Sequence, residues 1–277
     1  MAQNKIAFIG SGVMAEAMIQ GILNHKLYAA DQIHCADPLP KRIQDLEQRY
    51  GVVATTDNRA AIADAETVVL SVKPQVLSEV LTELRGALNP GQLVLSIVAG
   101  ATTRTIGDLL DHHAVVRVMP NTPARIGEGM SVWTRTADVS EADAERARTL
   151  LAALGREIYV AHEGDLDMAT ALSGTGPAYV FLFMEALVDA GVHLGFPRRI
   201  AQELVLQTVK GSVEFAMQAP TTHLAELRNQ VTSPGGTTAE ALYQMEKGGL
   251  RTILSKAVYS AFLRSKALSR ISAESSH

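Results

Sequence analysis

Residues 5–25 read KIAFIGSGVMAEAMIQGILNH, and this stretch decides the first half of the fold. A short apolar run ends in glycine, and a segment of helical periodicity follows at once. Gly10, Gly12 and Ala15 fall in G-x-G-x-x-A spacing between the two. The first glycine permits a tight turn, and the second lets backbone approach a pyrophosphate. Ala15 permits close packing of helix on strand. The helix start then offers unpaired N–H groups and a favourable dipole to an anion. A dinucleotide is the expected ligand.

Working outward, strand and helix signals alternate. QIHCAD, TVVLSV, QLVLSIVAG, AVVRVMPN and REIYVA read as buried strands, with MSVWTR as one more candidate. Between them lie PKRIQDLEQRYG, closed by Gly51, then VLSEVLTELRGAL, TRTIGDLLD and SEADAERARTLLAALG, with Ser140 as N-cap and Asp143 in its first turn. Such alternation predicts a parallel sheet covered on both faces. Ligands of such sheets lie across the carboxyl ends of the strands. Asp37, at the end of the second predicted strand, is placed to accept from a ribose 2′-OH and to repel a 2′-phosphate. Lys41 and Arg42 could instead hold that phosphate, and Asp37 could be a local cap. Thr55–Asn58 either reaches the adenosine or is a plain loop. Lys73 and Pro74 follow one buried strand, and Ala99 and Gly100 follow another. In MPNTPA, two prolines stiffen the turn around Asn121, where a polar side chain could orient a nicotinamide carboxamide.

From about residue 165 strand signals vanish and helical segments take over, expected at Asp165–Leu172, Ala178–Leu194, Arg198–Gln218, Thr222–Val231, Thr238–Lys247 and Leu250–Arg270. The expected fold class is therefore α/β: residues 1–164 form a Rossmann-type parallel-sheet domain, and residues 165–277 an all-α domain. AYVFLFMEALVDAGVHL is apolar nearly all round, which a surface helix is not. Either a second subunit covers it, making this the dimerisation domain, or it packs within its own chain. LSGTGPAY reads as a break between two helices and a second anion-friendly helix start, with Ser173 and Thr175 as polar partners and Pro177 in the first turn of the new helix. TSPGGTTAEAL reads as a third anion-friendly helix start. Pro234-Gly235 fits a type II turn, and Gly236 keeps the approach bare. Thr237 and Glu240 have capping-box spacing. Thr238 is then surplus to capping, and its hydroxyl is free to face a small carboxylate compound. A well-capped helix with no ligand is the competing reading.

Composition narrows the alternatives. Of 277 residues, 47% are hydrophobic and the net charge is −4, with no cluster of bases, so no nucleic-acid partner is expected. The scattered bases Arg251, Lys256, Arg264, Lys266 and Arg270 read as a solvated helix face. The single Cys35 permits no intramolecular disulfide and suits a reducing cytoplasm; within a strand it reads as a core residue. The N-terminal apolar run is too short for a secretory leader. PAYVFLFMEALV is interrupted by Glu185 and Asp189, so no membrane span is expected. No metal is expected.

FIGSGVMAEA, VKPQ, MPNTPA, LSGTGPAYVFLFMEAL and VTSPGGTTAEAL, in this order and spacing, resemble the pyrroline-5-carboxylate reductases over essentially the whole chain. The resemblance implies reduction of the cyclic imine 1-pyrroline-5-carboxylate to L-proline, the last step of proline synthesis, by NADH or NADPH. It implies a homodimer, and further assembly as a ring of dimers. By position, Ser233, Gly236, Thr237 and Thr238 match the substrate-carboxylate loop, with Thr238 near the ring nitrogen. Ser173 and Gly174 match residues lining the same pocket. Gly10, Ser11, Gly12, Val13, Met14, Asn58, Val72, Lys73, Ala99 and Asn121 match cofactor contacts. Asp37 stands where many members carry polar or basic residues. A Glu that some members carry before the substrate loop has no match in APTTHLAEL. The β-hydroxyacid dehydrogenases share the architecture but use a lysine on the first long C-terminal helix, and GPAYVFLFMEALVDAG has none. A non-catalytic NAD(P)-binding dimer is the rival outside the enzymes.

Overall fold

The structure, a computed structural model, describes residues 4–274, with side chains to residue 269. Met1–Gln3 of the expected leaderless start, and the Arg270 side chain of the expected basic face, lie outside the described set.

The N-terminal half alternates as expected: β1 Ile6–Ile9, α1 Val13–Asn24, β2 Ile33–Ala36, α2 Pro40–Tyr50, β3 Val53–Thr55, α3 Asn58–Ile62, β4 Thr67–Leu70, α4 Leu77–Leu84, β5 Leu93–Ser96, α5 Thr103–Leu110, β6 Val115–Met119, β7 Gly129–Arg135, α6 Glu141–Ala152 and β8 Gly155–Tyr159. The strands form one sheet of eight, in the order β3-β2-β1-β4-β5-β6-β7-β8. Side chains of successive β1 residues point to opposite faces, and both faces are buried. Ile6 and Phe8 join Met18, Ile19, Leu95 and Trp133 in one core. Ala7 and Ile9 join Ile62, Val68, Leu70 and Leu81 in the other. Each fully buried side chain of this size contributes about 1.5–3 kcal/mol, which is why these strands read as unbroken apolar runs.

The sheet departs from an all-parallel one at a single pairing. β7 runs antiparallel to β6, then pairs parallel with β8. The link from β6 to β7 carries only a short 3₁₀ turn, Thr122–Ile126, and has no room for the crossover a parallel pairing needs. Two elements were not foreseen. β3 adds a three-residue edge beside β2, and α3 starts where a loop or adenosine contact was expected. Gly51 does close α2, at φ 69°. Ser140 does cap α6, its Oγ accepting from Asp143 N–H at 3.1 Å. Cys35 is buried, and burial pushes its thiol up to about 12, the behaviour of a core residue.

The rest is helical: α7 Asp165–Ala169, a π turn Thr170–Gly174, α8 Gly176–His193, α9 Arg198–Gln218, α10 Leu224–Gln230, α11 Thr237–Lys247 and α12 Leu250–Glu274. The expected break at LSGTGPAY is present, as a π turn ending at Gly174 and a bend at Thr175, and α8 then starts with Pro177 in its first turn, as expected. Thr175 N–H donates to Thr170 O at 2.8 Å, and the Thr175 hydroxyl donates to the same oxygen at 2.9 Å. Pro177 has no N–H to give the carbonyl four residues back, so the wider turn is the local response.

The chain divides into two compact units, Met1–Thr175 with Ala261–His277, and Gly176–Ser260. The division expected at 164/165 follows the change from strand to helix. The compact first unit also includes α7, the π turn and the end of α12. There Asp167 Oδ1 accepts from Ser265 Oγ at 2.6 Å and from Ser269 Oγ at 3.3 Å. In the second unit, α8 packs on α9 so closely that a Cβ on Gly191 would lie 3.0 Å from the Ala201 Cβ. Among the described residues of that unit only Val188 and Ala201 are buried hydrophobics, while Phe181 is 61% and Leu182 67% exposed. The apolar helix is therefore not covered by its own chain. The helical run Asp165–His193 is long and apolar enough to cross a membrane by length and composition. It carries Asp165, Asp167, Glu185 and Asp189 along that length.

Candidate active site

Strand order reverses at β1, which lies between β2 and β4, so the crevice at their carboxyl ends is where an open sheet of this kind takes a ligand. Gly10 turns there at φ 85°. A Cβ on it would lie 2.9 Å from both N and Cα of Val72, so only glycine fits. Its carbonyl accepts from Ser71 Oγ at 2.6 Å. Gly12 is the N-cap of α1 and makes no side-chain cap. A Cβ there would meet nothing within 4 Å, so its own neighbours do not require the bareness. Val13 stands exposed at the helix start, Met14 packs on the core, and Ala15 is fully buried, as its packing role required.

Ser11 is held from both sides. Its N–H donates to Asp37 Oδ2 at 3.1 Å, and its carbonyl accepts from Arg42 Nε at 2.6 Å. Asp37 Oδ1 accepts from Leu39 N–H at 3.0 Å. Asp37 thus organises the turn at the end of β2, as its local reading expected. Arg42 continues inward to Glu16 Oε2 at 2.6 Å. Lys41 is exposed. Ser71, Glu16 and the Glu16–Arg42 pair escaped the sequence reading. Only the strand order, which brings the start of α2 over the start of α1, makes them legible.

The remaining residues sit as follows. Asp57 caps α3, accepting from Arg59 and Ala60 N–H, and Asn58 donates to Glu83 Oε2 at 2.8 Å. Lys73 and Pro74 are exposed past β4, with Val72 against Gly10. Gly100 is buried at φ 80°, and a Cβ there would touch Leu268 of α12 at 3.4 Å; Ala99 beside it is half-buried. The Asn121 amide is committed on both sides. Its Oδ1 accepts from Met130 N–H at 2.9 Å, and its Nδ2 donates to Ser173 O and Oγ, both at 3.3 Å. The Ser173 carbonyl is the one Pro177 cannot serve. A Cβ on Gly174 would lie 3.6 Å from the Met119 Sδ, so the glycine faces that side chain. The structure thus joins the end of β6 to the π turn, bringing Asn121, Ser173 and Gly174 together.

The second helix start lies in the other unit. Gly236 N–H donates to Ser233 O at 3.0 Å, and Gly235 has φ 70°, as a type II turn with Pro234 requires. The expected capping box is not formed. Gly236 is the N-cap, with no side-chain cap, and Thr237 is already the first helical residue. The first intrahelical bond runs from Glu240 N–H to Gly236 O at 3.2 Å. The N–H groups of Thr237, Thr238 and Ala239 therefore precede any helical acceptor. Ser233 Oγ lies where a Gly236 Cβ would stand. Thr238 is half-buried, and no hydrogen bond engages its hydroxyl among the described residues.

Comparison with known proteins gives the same picture. Residues 163–268 match the family model for pyrroline-5-carboxylate reductase dimerisation, and residues 5–100 match that for coenzyme F420-dependent NADP oxidoreductases. The Synechocystis pyrroline-5-carboxylate reductase is 40% identical, covering 96% of this chain and 98% of its own. The Pseudomonas aeruginosa enzyme of that name is 40% identical, over 97% and 98%. Among solved structures, the Coxiella burnetii reductase superposes with a TM-score of 0.89 at 36% identity, over 96% and 99% of the two chains. The Plasmodium falciparum pyrroline carboxylate reductase, solved with NADP bound, superposes with a TM-score of 0.88 at 32% identity, over 97% and 99%.

Proposed function

We propose, from the plain premise that this chain belongs to the pyrroline-5-carboxylate reductase family, that it reduces 1-pyrroline-5-carboxylate to L-proline with NAD(P)H. Proline biosynthesis is the resulting role. One observation carries the assignment of the substrate end: α11 begins at a bare glycine N-cap with three N–H groups unclaimed.

The residues of the first unit fit a dinucleotide. The open space over Gly12 and the uncapped start of α1 suit a pyrophosphate held by Gly10, Ser11, Gly12, Val13 and Met14. Asp37 meets the adenosine ribose. Val72, Lys73, Pro74, Ala99 and Gly100 line the path along the strand ends, with Asn58 and Asn121 at its margins, each already holding a protein partner. When bound, the reduced nicotinamide supplies the hydride. The division of labour is that residues 1–164 hold the cofactor, and residues 165–277 hold the substrate and the partner subunit.

Ser233, Gly236, Thr237 and Thr238 take the substrate carboxylate, on backbone N–H groups rather than on a charged side chain. Each such anion contact at a helix start is worth about 0.3–1 kcal/mol when exposed, and more when water is excluded. The Thr238 hydroxyl donates to, or relays a proton through water toward, the imine nitrogen, drawing electron density from the carbon that is reduced. Ser173 and Gly174 are assigned to the substrate by their position in the family motif. Positioning supplies most of the rate. The uncovered apolar face of α8 meets a second copy of the chain, and dimers assemble further as a ring in the cytoplasm. Phe181 and Leu182 are among its most exposed apolar side chains, and no basic patch invites nucleic acid.

The test is direct. Adding 1-pyrroline-5-carboxylate should oxidise NADH or NADPH one-for-one with proline formed. Cofactor binding without any oxidation would leave a nucleotide-binding dimer and end the enzymatic reading.

A further inference from the structure

Arg42, five residues after Asp37, is held on the glycine turn with its side chain only 21% exposed. Its Nε donates to Ser11 O at 2.6 Å, and an Nη donates to Glu16 Oε2 at 2.6 Å. Glu16 is engaged all round. Its other oxygen accepts from Tyr50 OH at 2.8 Å and pairs with Arg49. Both partners of the Glu16–Arg42 pair are about four-fifths shielded, at 19% and 21% side-chain exposure, so salt screens the pair weakly. Burial raises the Glu16 carboxyl, but hydrogen bonds from Arg42 and Tyr50, with the charges of Arg42 and Arg49, outweigh that and hold it below its ordinary 4.5.

Consider what a nucleotide 2′-phosphate would meet beside Asp37. It needs a guanidinium or ammonium presented outward. Exposed Lys41 can offer one; to add a second, Arg42 would have to leave a carboxylate, stranding Glu16 partly buried. A ribose 2′-OH asks nothing of Arg42, because Asp37 is already fixed by Ser11 and Leu39 N–H. Two acidic residues then act together, one at the ribose and one behind the arginine.

We infer that Glu16 is a specificity-determining residue: by committing Arg42 to the glycine turn, it withholds that cation from a 2′-phosphate and biases the chain toward NADH. The inference rests on the reading of the β1–β2 crevice as the dinucleotide site.

Equilibrium titrations of NADH and NADPH on the intact protein separate the two. In Glu16→Gln, and in Glu16→Ala as a second route, the ratio of the NADPH Kd to the NADH Kd should fall about tenfold or more. The fall should vanish in Glu16→Gln/Arg42→Ala, while Arg42→Ala alone should leave the wild-type ratio within about twofold. Melting temperatures confirm that each variant is folded. An unchanged ratio in both Glu16 variants, or a fall that persists without Arg42, overturns the proposal. Asp37→Ser tests the underlying reading by itself. If it moves neither Kd, the ribose does not sit at β2; if it moves the ratio while Glu16→Gln does not, the site stands and Glu16 has no part in its choice.

Discussion

The starts of α1 and α11 have almost the same backbone and different surroundings. Gly12 caps the first at φ −69°, ψ −172°, and Gly236 caps the second at φ −81°, ψ 167°; neither end has a side-chain cap. Both leave N–H groups for an anion. The first is embedded in a two-faced sheet and tied by Asp37, Arg42 and Ser71. The second is tied chiefly by its own Ser233–Gly236 turn, in a unit that buries almost nothing by itself. The same local device thus draws its rigidity from the chain's own core in one place. In the other it must draw on something outside the chain.

The largest expected effect tests that dependence. Phe181→Glu puts a charge in the uncovered face of α8, and a two-fold interface counts it twice. Leaving a charge unpaired in a buried interface costs about 3–5 kcal/mol at each copy. The variant should scatter light as a monomer or aggregate and lose turnover. It should still bind NADH, because the first unit closes its own cores. A wild-type protein that is a stable monomer would remove the contrast altogether.

The next effect belongs to the first start alone. Gly10→Ala meets Val72 backbone at 2.9 Å and also forces φ 85° on an L-residue. Strain of roughly 3 kcal/mol should weaken cofactor binding on the order of 100-fold, read by titration. If α11 is independent of this turn, substrate-analogue binding should survive where cofactor binding fails. Equal loss of both would break the comparison.

The two starts were not equally legible in sequence. G-x-G-x-x-A announced the first because strand, turn and helix each carry their own local pattern. The parallel strands read well for a similar reason: Ile6–Ile9 and Thr67–Leu70 are buried on both faces, and their apolar runs say so. β3 did not read, because three residues at a sheet edge leave no room for a pattern. The direction of β7 depends on the length of a connection, and the wide turn at Thr170–Gly174 on a hydrogen bond that Pro177 cannot make. Glu16 and Arg42 are far apart in sequence and meet only once β1, α1, β2 and α2 are assembled. At α11 the sequence placed the cap one residue late. Threonine followed by Glu240 carries the capping-box signature, but the Pro234-Gly235 turn lets the helix begin from Gly236 instead.

That displacement separates the roles of two neighbouring threonines. Thr238→Ala should cost roughly 1–3 kcal/mol of transition-state binding, about 10- to 100-fold in kcat/KM, with little change in melting temperature. Thr238→Ser keeps the hydroxyl and should recover most of the activity. Cofactor affinity should hardly move in either. Full activity in Thr238→Ala would return the loop to a turn that merely starts a helix.

The smallest effect is the most pointed. A threonine that capped α11 would cost about 1 kcal/mol on truncation to alanine. Thr237 is the first helical residue and accepts no capping bond, so the cap is not there to lose. Its side chain is exposed, and alanine has the higher helix propensity. Thr237→Ala should therefore shift stability by no more than about 0.5 kcal/mol, in either direction. Its backbone N–H, the group proposed to meet the carboxylate, survives the change, so KM should move less than in Thr238→Ala. Denaturant midpoints and substrate KM, measured side by side for the two variants, decide it. A loss near 1 kcal/mol in Thr237→Ala would mean that its hydroxyl caps the helix in solution. Gly236 would then be an approach to the substrate and not the start of α11.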